Sequence, residues 1–139
     1  MKRKNESYGE LLEVAERARE LSHSPYSGVS VGAALLTASG KVYTGANIEN
    51  AAYTPTVCAE RTAIFKAVLD GERDFVAIAV AGGRHGEPSR DDFYPCGVCR
   101  QVMAEFATAD LVIVTTSGDD YELHTLGELL PATFTRDKL

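Results

Sequence analysis

The chain contains no tryptophan, only two methionines and only three cysteines among its 139 residues. It has no run of about 18 apolar residues, and its N-terminus lacks the apolar core of a secretory signal peptide. We therefore expect no membrane partner and a cytoplasmic location. Three cysteines cannot all pair within one chain, and a reducing cytosol favours their use in metal binding or catalysis over disulfides.

Basic residues are scarce relative to acidic ones. The sequence has 14 lysines and arginines against 20 aspartates and glutamates, which gives a formal net charge of -6 at pH 7. Because such a chain repels phosphate backbones, we expect no nucleic acid polymer as a partner and favour a small, uncharged substrate. We interpret the basic cluster at residues 2–4 as a solvated end.

Helical and strand periodicities alternate along the chain. Helical spacing predicts helices over about 7–21, 56–69 and from Pro95 onward, with Ser7 and Glu10 as a capping box for the first. Short apolar runs predict a hairpin of strands over 29–36 and 41–46, a buried central strand over 75–81, and further strands over 111–114 and 121–125. This alternation predicts an α/β fold, with one mixed sheet between helices and a single domain over residues 1–139.

The three cysteines all lie at predicted helix starts. Cys58 begins the second helix, and Cys96 and Cys99 begin the third. Helix N-termini stabilise thiolates, and three protein ligands leave the fourth position of a tetrahedral zinc ion open to water, as in catalytic sites. The pattern therefore predicts one catalytic Zn²⁺ per chain.

Other interpretations of the cysteines remain open. The Cys-x-x-Cys pair can be a redox pair, and all three cysteines can be core thiols. A structural zinc site would take a fourth ligand from the histidines, which are His23, His85 and His124.

Charged residues next to the cysteines suggest how a metal site would work. Glu60 lies two residues after Cys58 on the same helical turn, so it can reach a metal-bound water and act as a proton shuttle. Three thiolates carry much negative charge, and Arg61 and Arg100 are the nearest candidates to offset it through hydrogen bonds to sulfur.

Several segments together resemble the small zinc-dependent cytidine deaminases. They are YS at 26–27, VGAAL at 31–35, GANIEN at 45–50, CAERTA at 58–63, PCGVCRQ at 95–101 and ELLP at 128–131. The zinc-deaminase signature itself is a ligand followed two residues later by Glu, and then Pro-Cys-x-x-Cys. The resemblance implies a three-layer αβα sandwich with a five-stranded mixed sheet, assembled as a homotetramer with shared active sites.

The resemblance also assigns substrate-binding residues. It implies that Asn47 and Glu49 bind the ribose hydroxyls of a nucleoside, and alternate strand positions do share one face. It places Ala59 among the substrate contacts, and it implies that Tyr53 and the tail around Phe134 cross the subunit interface into a neighbour's site.

The implied reaction is hydrolytic deamination of cytidine and deoxycytidine to uridine and deoxyuridine, in pyrimidine salvage. Activated water attacks C4 of the cytosine ring while Glu60 protonates N3 and then carries a proton to the departing ammonia. The chain departs from the family pattern at Val29, where a bulky aromatic residue commonly packs against the base. A looser base contact there would admit a larger group on the exocyclic nitrogen.

Three alternative functions follow from the same residues. The first is deamination of a modified cytosine nucleoside, either an N4-substituted cytidine or a blasticidin-type compound. The second, editing of single-stranded nucleic acid, is disfavoured by the acidic charge and the absence of tryptophan. The third is a noncatalytic zinc-binding module, which gives Glu60 no role.

Overall fold

The computed structural model describes residues 2–139, with side chains from Ser7 onward. The side chains of the basic cluster at residues 2–4 lie outside the described part. In chain order, the elements are α1 (Lys2–Ala18), β1 (Val29–Thr37), β2 (Val42–Ala46), α2 (Ala59–Leu69), β3 (Phe75–Arg84), α3 (Gly97–Phe106), β4 (Val112–Ser117), β5 (Asp120–Thr125) and α4 (Leu126–Leu129). Short 3₁₀ turns at Arg19–Leu21 and Arg136–Lys138 complete the list.

The strands form a five-stranded sheet in the order β2-β1-β3-β4-β5. Strands β3 and β4 are parallel, and the other neighbouring pairs are antiparallel. The mixed sheet, the β1–β2 hairpin and the central place of β3 are as the sequence predicts.

Helices cover both faces of this sheet. On one face, Leu11 and Ala15 of α1 pack with Ala34 and Val114 in one apolar cluster. On the other face, α2 and α3 build a second cluster around the buried side chains Ala63, Ile64, Met103, Leu35 and Ile113. Strand β1 supplies both clusters because successive side chains of a strand point to opposite faces. The three-layer αβα arrangement is thereby confirmed.

Two glycines allow the helices to approach the sheet closely. A Cβ on Gly32 would lie 2.0 Å from the carbonyl oxygen of Ala15 in α1. A Cβ on Gly45 in β2 would lie 2.4 Å from the carbonyl oxygen of Ala59, the first residue of α2. The start of α2 is therefore fixed directly against β2.

Some predicted boundaries were wrong. Helix α1 begins before Ser7, since no proline or glycine precedes that residue to stop the helix, so the predicted capping box is not its start. Helix α2 begins at Ala59 rather than near residue 56, because Val57 pairs with Ile48 in an isolated β-bridge. The one-turn helix α4 was not predicted.

Membrane-spanning segments were sought among residues 2–139. None of the helices there combines the length and the apolar composition needed to cross a bilayer.

Candidate zinc active site

Two helix starts meet at the predicted metal site. Cys58 is the N-cap residue of α2, and Cys96 is the N-cap residue of α3. Both have extended backbone angles, and the Cys96 Sγ atom accepts a hydrogen bond from the backbone N–H of Cys99 at 3.5 Å. Unpaired N–H groups and the helix dipole at such positions favour thiolates.

The three sulfur atoms form one compact group. Cys58 Sγ lies 3.6 Å from Cys96 Sγ, which lies 3.4 Å from Cys99 Sγ, and all three are within 4.8 Å of one another. Two sulfurs bound at about 2.3 Å to a tetrahedral zinc ion stand about 3.8 Å apart, so this spacing fits the metal. Cys99 is buried and Cys96 is exposed, which leaves one side of the group open.

Crowding gives the thiols very different acidities. The pKa of Cys58 is lowered to about 5, because the Cys99 thiol and the Arg61 guanidinium donate hydrogen bonds to its sulfur. The same contact with Cys58 raises the pKa of Cys99 well above its usual range. A second thiolate is thus opposed by the first, and a bound divalent cation is what allows all three to ionise together.

The two arginines next to the cysteines have different hydrogen-bond partners. Arg61 donates a hydrogen bond from Nη2 to Cys58 Sγ at 3.4 Å. Arg100 does not follow the expectation that it would bond to sulfur. Its guanidinium donates to the carbonyl oxygens of Pro95 and Leu129, each at 2.7 Å, so it fixes the backbone before Cys96 instead.

Glu60 lies in the first turn of α2 with only 3% of its surface exposed. Burial raises its pKa to about 7, and the negative charge of Cys58 adds to this effect. A carboxyl group with this pKa exchanges its proton readily at neutral pH, as a general acid and base must.

The segment that carries Asn47 and Glu49 lies beside the segment that leads to the cysteines. A backbone bridge joins Ile48 to Val57, the residue before Cys58. This bridge brings the polar end of β2 to the start of α2. The sequence could not show this pairing, because it depends on tertiary structure.

The carboxylate of Glu49 is held by the loop before β1. Its Oε1 atom accepts hydrogen bonds from the backbone N–H groups of Tyr26 at 3.0 Å and Ser27 at 3.1 Å, and its Oε2 accepts from the Ser27 hydroxyl. The Ser27 hydroxyl holds the pKa of Glu49 below its usual value. The contact of Ser27 was missed by sequence reasoning, and no spacing pattern would have indicated it.

Glu49 lines a cavity of about 430 Å³. The other lining residues are Tyr26, Ser27, Tyr53 and Thr56. Tyr53 is 69% exposed and packs edge-on against Tyr26, with ring centroids 5.9 Å apart. The cavity reaches Thr56, which precedes Cys58 by two residues in the chain.

The remaining predicted contacts lie at three separate places. Val29 is half-buried at the start of β1, and its carbonyl oxygen accepts a hydrogen bond from Asn47. Ala59 is fully buried at the first position of α2. Phe134 is 58% exposed, and its carbonyl oxygen accepts a hydrogen bond from Gln101 of α3.

The histidines stand apart from the sulfur group. Among the described residues, the potential metal ligands that cluster are the three cysteines, with no histidine in the group. His85 instead contacts Ser24, and His124 packs against Tyr94. A four-ligand structural zinc site therefore has no support from this geometry.

Known proteins resemble the chain along most of its length. Residues 5–115 match the family model described as the cytidine and deoxycytidylate deaminase zinc-binding region. A cytidine deaminase of Sporosarcina psychrophila is 48% identical over 130 residues, which cover 93% of this chain and 92% of that protein. The crystal structure of cytidine deaminase from Burkholderia pseudomallei is 46% identical, with a TM-score of 0.79 and coverage of 90% of this chain and 97% of that one.

A more distant relative bears on the choice of substrate. Blasticidin-S deaminase of Bacillus cereus is 34% identical over 112 residues, covering 77% of this chain and 78% of that protein. Since a zinc-binding deaminase model spans most of the sequence and the more similar relatives align along almost all of it, this chain belongs to the cytidine deaminase family of zinc enzymes.

Proposed function

We propose that this protein hydrolyses cytidine, and deoxycytidine with it, to the uracil nucleoside and ammonia. The observation that carries the proposal is the buried Glu60 carboxyl, with its pKa near 7, two residues after Cys58, whose sulfur clusters with those of Cys96 and Cys99. The names of the similar proteins support cytidine as the substrate.

Cys58, Cys96 and Cys99 would hold the metal. When bound, zinc acts as a Lewis acid that lowers the pKa of a coordinated water from 15.7 towards about 7, which makes a nucleophile available at neutral pH. Cys96 is exposed and Cys99 is buried, so solvent can reach the sulfur group from the Cys96 side.

Glu60 moves the protons of the reaction. Its carboxylate takes a proton from the attacking water and delivers it to N3 of the cytosine ring as the C4–O bond forms. It then carries the second proton to the exocyclic amine, so that the C4–N bond breaks and ammonia leaves. A pKa near 7 suits a group that must both accept and donate within one turnover.

Asn47 and Glu49 bind the sugar in this proposal. Glu49 is ionised at neutral pH, because its pKa is lowered, so it offers acceptor oxygens to a hydroxyl group. The cavity that it lines is large enough for a ribose. Ala59, at the buried start of α2, provides backbone near the base.

We further propose that residues 1–139 act as one catalytic domain and that neighbouring copies complete each site in a homotetramer. The exposed aromatic side chains of Tyr53 and Phe134 support this, since each lies free of the chain's own core. Light scattering of the purified protein tests it. A tetramer that Phe134→Ala breaks down is expected, and an active monomer would contradict the proposal.

A second candidate is deamination of a modified cytosine nucleoside. Val29, half-buried at the start of β1, offers a smaller apolar surface to the base than an aromatic residue would. A blasticidin-S deaminase is also among the similar proteins. One extra or missing methylene group in a hydrophobic pocket changes selection between substrates by about 1–3 kcal/mol, and the smaller Val29 side chain should relax it by an amount of this order.

The two candidates are separated by product release from cytidine, an N4-methylated cytidine and blasticidin S, using zinc-loaded protein. Ammonia from cytidine at the highest kcat/KM supports the main proposal. Turnover of a modified compound alone would replace it with the second candidate. The variant Val29→Phe is the matched control, because it should narrow the substrate range without touching Glu60.

A further inference from the structure

A line of hydrogen bonds runs from the buried Asn47 side chain to the surface. Ser22 Oγ lies 2.5 Å from Asn47 Oδ1 and 2.9 Å from Ser24 Oγ, and Ser24 Oγ lies 2.9 Å from His85 Nε2. Asn47 and Ser24 are both buried, whereas His85 at the far end is exposed. Neither the sequence motifs nor the proposed chemistry uses Ser22, Ser24 or His85.

The direction of the hydrogen bond at the buried end of this line is fixed. The Asn47 amide is oriented by β1, because its Oδ1 accepts from the Val31 N–H and its Nδ2 donates to the Val29 carbonyl, each at 2.9 Å. Since Oδ1 can only accept, the single hydroxyl hydrogen of Ser22 must point to it. The Ser24 hydroxyl oxygen lies 2.9 Å from the same Ser22 hydroxyl group.

His85 closes the line at the surface. Its Nε2 atom lies 2.9 Å from Ser24 Oγ, and the tautomer of the ring sets which of the two atoms donates. The backbone N–H of His85 also donates to the carbonyl oxygen of Gly28, at 3.0 Å. His85 thus holds both ends of the loop that precedes β1.

The side-chain amide of Asn47 has donor capacity left but no acceptor capacity. An amide oxygen has two lone pairs, and Val31 and Ser22 occupy both. An amide nitrogen has two hydrogens, and Val29 takes one. What Asn47 can still offer a ligand is therefore a single N–H donor, two residues before Glu49 in the chain.

We propose that Ser22, supported by Ser24 and His85, is a positioning residue that makes Asn47 a pure donor and so selects a sugar hydroxyl in the nucleoside. A hydroxyl group accepts from Asn47 and donates to Glu49 at the same time, and neither an ether oxygen nor a C–H group does both. This inference rests on the proposed function, because it takes the ligand at these residues to be a nucleoside sugar.

The test is a double comparison of enzyme and substrate. Steady-state kcat and KM are measured for cytidine, 2′-deoxycytidine, 3′-deoxycytidine and 2′,3′-dideoxycytidine with zinc-loaded wild type and Ser22→Ala. Loss of one net hydrogen bond predicts that Ser22→Ala lowers kcat/KM for cytidine about 3- to 10-fold, through KM. The kcat/KM for 2′,3′-dideoxycytidine should change less. The ratio of kcat/KM for cytidine to that for 2′,3′-dideoxycytidine should therefore fall.

Variants along the line separate positioning from general damage. Ser22→Thr and His85→Gln keep a hydrogen-bonding group at each position and should keep the discrimination between substrates, whereas His85→Leu should weaken it. Ser39→Ala, which alters an exposed serine bonded to Glu72, is the matched control and should behave as wild type. The proposal would be overturned if Ser22→Ala lowered kcat/KM equally for every substrate, or if it left the preference for cytidine over the dideoxy substrate unchanged.

A second readout does not depend on turnover. The side-chain amide of Asn47 gives its own pair of ¹⁵N-coupled proton signals, and Ser22→Ala should shift them and speed their hydrogen exchange. If wild type fails to deaminate any cytidine, the proposed function is wrong, while these signals still test the line itself. Unchanged Asn47 signals in Ser22→Ala would contradict the positioning role.

Discussion

Glu60 and Cys58 lie two positions apart in the chain, and their environments reverse the usual order of their pKa values. Burial raises the pKa of the carboxyl to about 7, and hydrogen bonds from Cys99 and Arg61 lower that of the thiol to about 5. Perturbations of this size from identified partners are typical of functional sites. In the proposed mechanism, a metal ligand and a proton carrier are thereby prepared at the start of one helix.

Arg61 offers a prediction at this scale. The variant Arg61→Gln removes the cation that hydrogen-bonds Cys58 Sγ, so the pKa of Cys58 should rise and zinc affinity should fall about 10- to 100-fold. Competition with a chromophoric chelator measures the affinity. Arg100→Gln is the control: it removes contacts to backbone carbonyls, so a comparable loss of zinc affinity in both variants would contradict the specific role of Arg61.

Spacing in the sequence predicts the cysteine group and Glu60, because ligand and shuttle lie on the same local turns. The partners of Asn47 and Arg100 could not be predicted in this way. Asn47 is bonded to residues of β1 and to Ser22, and Arg100 to Leu129, and such contacts depend on how distant segments pack. The spacing of residues in the sequence does not determine which distant element a side chain contacts.

At the scale of elements, the contact between α2 and β2 positions the site. The absence of a side chain at Gly45 lets the backbone of α2 rest on the strand, which sets where Cys58 and Glu60 stand. The helical pattern predicts that α2 exists. The position of its first residue follows instead from the bridge between Ile48 and Val57, a pairing invisible in the sequence.

The variant Gly45→Ala should damage stability and activity together. Its Cβ would meet backbone atoms of α2 at 2.4 and 2.6 Å, which rotamer changes cannot relieve. We expect a loss of about 1–3 kcal/mol in the free energy of unfolding. A shift of the site by about 1 Å would lower kcat up to about 100-fold.

Gly9→Ala is the matched control. It adds the same methyl group within α1, at an ordinary 3.6 Å from the Tyr121 ring. Helix propensity predicts a gain of about 0.5–1 kcal/mol with kcat unchanged. Urea denaturation measures both variants, and a neutral result for Gly45→Ala would show that α2 does not depend on this close contact.

A second element contact predicts a pH dependence. The Tyr43 hydroxyl of β2 donates to Asp70 at the end of α2, which raises the pKa of Tyr43 to about 12 and lowers that of Asp70. Because the pKa of Tyr43 is raised, the contribution of this contact to folding stability is fully present below the ordinary value of 10.0 and is lost as pH rises through about 12. Because the pKa of Asp70 is lowered, the same stability contribution is also lost in acid. The loss begins as pH falls below the ordinary value of 3.8 and is complete once pH has passed below the lowered pKa of Asp70.

Thermal unfolding of wild type and Tyr43→Phe across pH measures this contact. The Tm difference between them should be constant near neutral pH and should shrink towards both extremes. A difference that does not change with pH would mean that ring packing, rather than the hydroxyl, accounts for it. Asp70→Ala combined with Tyr43→Phe should give less than the sum of the two single effects.

For the whole molecule, the apolar core lies on the two faces of the sheet. One cluster is built by α1 with the strands and the other by α2 and α3 with the strands, and the second cluster includes the buried side chain of Cys99. Alternating helix and strand patterns predict this layered fold. They do not determine which neighbouring copy, if any, covers the exposed side chains of Tyr53 and Phe134.

Removal of zinc should therefore stop catalysis without unfolding the chain. After treatment with a chelator, the far-UV circular dichroism spectrum should be retained and activity should be lost, and added zinc should restore it. Binding at 100 times the Kd would add about 2.7 kcal/mol of stability. Complete unfolding on chelation would favour the noncatalytic zinc module, whose metal supports structure alone.

The central claim, that Glu60 moves protons at a three-cysteine zinc site to deaminate cytidine, is tested most directly by ammonia release. Wild type and Glu60→Gln are compared with cytidine at equal, measured zinc content. The account predicts a folded, zinc-loaded variant whose kcat is lower by about 10²–10⁴. A Glu60→Gln protein that releases ammonia as fast as wild type would contradict it.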